Sequence, residues 1–116
     1  MREAIRLSIQ TMRCGKGGPF GAVVVRNGKV VGRGCNQVSW ANDPTAHAEI
    51  VAIREACKRL KRFQLDDCDL YTSCEPCPMC LSAIYWARLR RVFYGNTRQD
   101  AARIAFDDDF IYWEVA

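Results

Sequence analysis

His47 is the only histidine in the chain, and thirty residues after its position comes the run Pro76-Cys77-Pro78-Met79-Cys80. One imidazole and two thiolates make a donor set suited to zinc, a borderline-soft ion held tetrahedrally by nitrogen and sulfur. Three protein ligands leave the fourth position for water, the arrangement of a catalytic site. Cys74 stands at the same spacing, so YTSCEPCPMC (71–80) contains two overlapping C-x-x-C pairs. With Cys74 as a fourth ligand the site would be closed and the chain a non-catalytic zinc-stabilised module. Pro76 separates these readings. It biases Glu75 toward extended backbone and sets the helix start at or after itself. Cys77 and Cys80 then lie at i and i+3 on one face of the first turn, and Cys74 ends the preceding strand. The positive end of that helix favours thiolates. Cys74 reads as a small buried residue, and Cys14, Cys35, Cys57 and Cys68 as free thiols in or near the core.

Glu49 follows His47 by two residues, a spacing that points side chains to nearly opposite sides of a helix interior. The two can share a cavity only near a helix start. Beside a zinc ion, Glu49 could accept and return the proton of the attacking water. Away from one, it would simply complement the positive end of a helix.

The elements that must position these residues are legible from local patterns. MREAIRLSIQTMRC reads as an amphipathic first helix that Gly15 can end. Two Val-rich runs flank Asn27-Gly28, the preferred pair for a tight hairpin turn. Asp43 is a natural N-cap with Pro44 at the first helical position, which starts a helix through NDPTAHAEIVAIREACKRL and puts His47 one turn inside it. CDLYTS (68–73) is a strand, PMCLSAIYWARL (78–89) a helix apolar enough to be buried on more than one side, and RVFYG (91–95) a strand. The tail FDDDFIYWEV fits a helix or a loop. The order α-β-β-α-β-α-β predicts a layered α/β domain spanning residues 1–116.

Composition narrows the class. The length fits one domain. No apolar run approaches the roughly 20 residues of a membrane-spanning helix. Seven cysteines, an odd number, without a secretory signal suit a reducing cytoplasm better than a disulfide framework. The net charge of +4 is unevenly spread: residues 1–65 carry 12 Lys/Arg against 4 acids, and residues 66–116 carry 5 against 9. The run KRLKR (58–62) reads first as the solvated, cation-rich last turn of a helix, with a phosphate-contacting patch as the alternative.

His-Ala-Glu (47–49) followed by Pro-Cys-Pro-Met-Cys (76–80) matches the zinc-deaminase signature H-x-E…P-C-x-x-C. Along nearly its whole length the chain resembles the cytidine deaminase-like superfamily. Within it, GGPFGAVVV (17–25), NDPTAHAE (42–49), AIYWAR (83–88) and FDDDFIY (106–112) are similar to bacterial guanine deaminases. The resemblance implies a three-layer α-β-α sandwich and one zinc ion per chain, held by His47, Cys77 and Cys80. It implies Glu49 as general acid/base, and Asp108 as the carboxylate that holds the ring edge and assists proton transfer to the departing amine. It also implies that Asn36 and the backbone N–H of Ala48 contact the purine, and that Phe20 and Trp86 wall the pocket. The expected reaction is deamination of guanine in purine metabolism, in a cytoplasmic homodimer. A tRNA adenosine deaminase shares the same motif, but the acidic second half makes nucleic acid the less favoured substrate. Members of the family continue into a further strand and a C-terminal helix. Since this chain stops at Ala116, the sandwich is expected without them.

Overall fold

The computed structural model describes residues 1–2 and 21–97. The expected first helix, Cys14, Phe20, Asp108 and the FDDDFIY tail lie outside them.

Strands β1 (Gly21–Arg26) and β2 (Lys29–Cys35) form the predicted hairpin. Asn27 and Gly28 both take positive φ, 50° and 76°, as a two-residue turn of matching twist requires. β1 then pairs antiparallel with β3 (Cys68–Cys74), and β3 pairs in parallel with β4 (Arg91–Asn96). The sheet order is β2-β1-β3-β4. Helix α1 (Val38–Ala41) is a single turn after β2 that the sequence patterns did not announce. Helix α2 (Ala48–Leu60) connects toward β3, and α3 (Pro78–Ala87) joins β3 to β4. Val24, Leu70, Ile84 and the alanines of α2 share one buried cluster, so both long helices cover the same face of the sheet.

Three local expectations change. Helix α2 starts at Ala48, not at Pro44. Asp43 instead accepts hydrogen bonds from the Thr45 N–H (2.9 Å) and the Thr45 hydroxyl (2.6 Å), which closes a turn ahead of the helix. His47 thereby becomes the N-cap residue, with extended backbone (φ −69°, ψ 157°). Helix α3 starts at Pro78, leaving Cys77 as N-cap, and stops at Ala87, before the left-handed Arg88. It is not buried all round: Leu81, Tyr85 and Trp86 form an exposed outer face.

One packing feature sets where α2 lies. Gly32 and Gly34 on β2 have no side chain to place between strand and helix. A Cβ at Gly34 would stand 2.1 Å from the Ala48 carbonyl oxygen, and one at Gly32 would stand 2.3 Å from that of Ala52. Ala48, Ala52 and Ala56, all fully buried, supply the matching small surface at successive turns of α2. Gly34→Ala should therefore destabilise the fold by about 3 kcal/mol or more, since backbone must move to admit the methyl. It should also lower zinc affinity, because it displaces the helix turn next to His47. Thermal unfolding and zinc titration of the variant check both expectations.

A second feature anchors the opposite end of the sheet. Asp69, 8% exposed, accepts from Arg90 (3.1 and 3.0 Å) and from Arg91 (3.3 and 2.8 Å). These two guanidinium groups hold its carboxyl well below the usual carboxylate range, Arg90 contributing most. A carboxyl depressed by folding stabilises the native state above its unfolded pKa of about 3.9. That stabilisation is lost as pH falls below it toward the folded value. Asp69→Asn should cost about 2 kcal/mol at pH 7 and flatten the fall in stability between about pH 4 and pH 2, measured by urea unfolding across that range.

Candidate zinc centre

The N-termini of α2 and α3 converge beyond the ends of β2 and β3. Their two N-cap residues, His47 and Cys77, do not cap their helices with their side chains. Both side chains instead meet, with Cys80 in the first turn of α3. His47 Nδ1 lies 3.5 Å from Cys77 Sγ and 3.6 Å from Cys80 Sγ. A tetrahedral ion with Zn–S of about 2.3 Å and Zn–N of about 2.0–2.1 Å would separate nitrogen and sulfur by about 3.5–3.6 Å. The donor atoms therefore fit one zinc ion with little rearrangement, and two helix N-termini supply positive partial charge to the thiolates.

The protonation pattern of the metal-free group follows from the same geometry. The Cys80 thiol hydrogen-bonds to Cys77 and, with His47 adding to the effect, holds the Cys77 thiol down at about 4. The same hydrogen bond pushes Cys80 up. Glu49, 7% exposed, has its carboxyl within hydrogen-bonding reach of Cys80. Burial pushes Glu49 up to about 7, opposed in part by its own backbone N–H. The difficulty of a two-residue His–Glu spacing disappears here. His47 is extended and only Glu49 is helical, so the two side chains need not diverge as they would inside a helix.

Asn36 follows β2, and its Oδ1 accepts from the Val38 N–H at 3.0 Å, fixing the side chain at the start of α1. The next residue, Gln37, donates its N–H to the Ala46 carbonyl at 2.9 Å, which ties this loop to the residue before His47. Ala48 is fully buried as the first residue of α2, where an N–H has no acceptor within its own helix. Trp86 is 78% exposed on the outer face of α3, away from the buried face that carries Cys80. Phe20 and Asp108 lie outside the described residues.

Cys74 also stays apart, as Pro76 implied. It is buried at the end of β3, with its Sγ 3.7 Å from the Thr97 carbonyl oxygen. Among the described residues, the group able to hold a metal ion consists of His47, Cys77 and Cys80. What residue patterns did not reveal was the supporting frame: the glycine–alanine contact of β2 with α2, and the Gln37–Ala46 tie. The first had a visible signal, glycines two apart in a strand and alanines four apart in a helix. The backbone tie had none.

The chain matches the model of the cytidine and deoxycytidylate deaminase zinc-binding region over residues 1–96. It is 57% identical over 115 residues to the guanine deaminase of Bacillus subtilis, covering 99% of this chain and 74% of that protein. The X-ray structure of guanine deaminase from Bacillus subtilis superposes with a TM-score of 0.94 over 96% of this chain and 71% of that one. The tRNA-specific adenosine deaminase of Agrobacterium fabrum is 51% identical over 77 residues, which is 66% of this chain and 51% of that protein. The mixed sheet and its helices accordingly have the cytidine deaminase-like α/β fold.

Cys74→Ser should bind one zinc ion per chain as tightly as the unaltered protein, whereas Cys77→Ser and Cys80→Ser should each lose it. Metal content after dialysis against a weak chelator measures the difference.

Proposed function

The chain belongs to the family of the cytidine and deoxycytidylate deaminase zinc-binding region, and we propose that it hydrolyses guanine to xanthine and ammonia. The observation that carries this reading is the buried Glu49 set against the His47, Cys77 and Cys80 donors, in a chain similar along nearly its whole length to a guanine deaminase. His47 Nδ1 and the two sulfurs would hold the zinc ion, which supplies the Lewis acidity that makes water a nucleophile near neutral pH.

The chain's own residues handle the protons and the base. Glu49 takes a proton from the attacking water at its carboxylate and returns it to a ring nitrogen. The water oxygen bonds to the carbon bearing the exocyclic amine. The remaining O–H proton of the adduct then passes to that amine, the oxygen becomes a carbonyl as the C–N bond breaks, and ammonia leaves. Asp108 is assigned to assist this second transfer and to hold the ring edge. Asn36, its Oδ1 already engaged by Val38, has its amide NH₂ to donate to a purine acceptor. The Ala48 N–H, at the positive end of α2, is placed to contact the base beside the reacting carbon, and Phe20 to wall the pocket.

Three further assignments belong to the same reading. Residues 1–116 act as one domain. The exposed face of Leu81, Tyr85 and Trp86 on α3 supports a homodimer, which would bury it. A cytoplasmic role in purine metabolism suits a site that needs Cys77 and Cys80 reduced. Among the described residues, no helix is long and apolar enough to cross a membrane.

Glu49→Gln should retain zinc and fold normally while losing turnover by about a hundredfold to ten-thousandfold. Purified protein incubated with free guanine, free adenine and an anticodon stem-loop RNA should release ammonia from guanine. Deamination of the RNA with none of guanine would overturn the assignment.

A further inference from the structure

The basic run at residues 58–62 has a setting that its place at a helix end does not require. Helix α2 starts at the zinc centre and carries this run at its other end, about 20 Å away. Helix α3 runs in the same sense, and β3 and β4 start where these helices finish. One pole of the molecule, opposite the zinc centre, therefore gathers the β1–β2 turn, both helix ends and two strand starts.

At this pole carboxylates are shared between arginines. Asp67 pairs with Arg26 at 2.8 Å and also with Arg62. Asp69, two residues on, pairs with Arg90 and Arg91. Asp66 also pairs with Arg62, at 3.6 Å, so that cluster is neutral, whereas Asp69 cancels one charge of two and leaves its cluster a positioned positive charge. Among the described residues, Lys29, Lys58 and Lys61 are exposed and take part in no ion pair. Phe63, directly after Arg62, is 79% exposed.

Cations at the ends of α2 and α3 complement the helix dipoles. That accounts neither for paired arginines on shared carboxylates nor for a bare phenyl ring among them. Fixed cations beside an open aromatic face are what a single-stranded polynucleotide needs: phosphates follow the cations and a base stacks on the ring. We propose that this pole binds single-stranded RNA through its backbone phosphates and one base stacked on Phe63, independently of the deaminase site at the other end.

The test is fluorescence anisotropy of a labelled oligouridylate of about 20 nucleotides, titrated with the full chain from about 50 to 200 mM salt. Binding should weaken steeply with salt. The combined variant Lys29→Gln, Lys58→Gln and Lys61→Asn should weaken it at least about tenfold at the lowest salt and flatten the logarithmic salt dependence by about 2. Asparagine is chosen at position 61 because that residue has φ 54°. Phe63→Ala should weaken binding about fivefold or more and leave the salt dependence unchanged. Both variants should keep the thermal midpoint and the rate of guanine deamination, so failure of either proposal is read separately. Absence of binding at low salt, or binding that neither variant weakens, overturns the inference. So does polyglutamate binding as tightly as the RNA with Phe63→Ala having no effect, which would mark the pole as a surface for acidic proteins.

Discussion

Helix α2 lies against β2 with almost nothing between the two backbones, and the rest of the site is built from that contact. Gly32 and Gly34 leave room that any side chain would take away, and Ala48, Ala52 and Ala56 fill it at successive turns of the helix. The first of these alanines sits between His47 and Glu49. Fixing Ala48 on the sheet therefore fixes a metal donor on one side and a carboxylate on the other. A larger residue on either surface would lever both away from Cys77 and Cys80, since close-packed interiors transmit displacement and do not absorb it.

The same contact places a carboxylate where water alone cannot solvate it. Glu49 is buried beside two thiols and an imidazole, so its carboxyl titrates near neutrality in the metal-free chain. Isolated, such a group would be a liability. A dication held by the neighbouring donors would compensate the charge that burial penalises and favour the ionised carboxylate. The helix ends contribute in the same direction. His47 and Cys77 occupy the N-cap positions of α2 and α3, so two positive helix termini face the electron-rich ligands.

The molecule is consequently polar from end to end. Both long helices start at the zinc centre and finish at the opposite pole, where their negative ends meet lysines and arginines. Chemistry collects at the carboxyl ends of β2 and β3, as open α/β sheets commonly arrange it. The far pole is held by charge, through Asp67 and Asp69 and the four arginines they orient. The ion-paired anchors and the zinc donors thus lie at opposite ends of the same strands.

The donor set was legible without a structure because ligand chemistry depends on residue type and close spacing. Asn27-Gly28 declared the hairpin for a similar reason: both turn residues need positive φ, and few pairs accept it. Pro76 correctly separated Cys74 from Cys77, since a proline restrains the residue before it whatever the surroundings. Local signals failed where tertiary contact decided. Asp43-Pro44 looks like a helix start, yet Asp43 spends its side chain on Thr45 and the helix waits for Ala48 to reach β2. Trp86 has the composition of a buried helix face but is exposed, because Pro78, Cys80, Ile84 and Ala87 take the buried side of α3. The sequence by itself determined which atoms can bind zinc and which residues can turn the chain. Only the packed fold decided that His47 and Glu49, two residues apart, both reach Cys80, because that depends on where the helix begins and so on what it rests against.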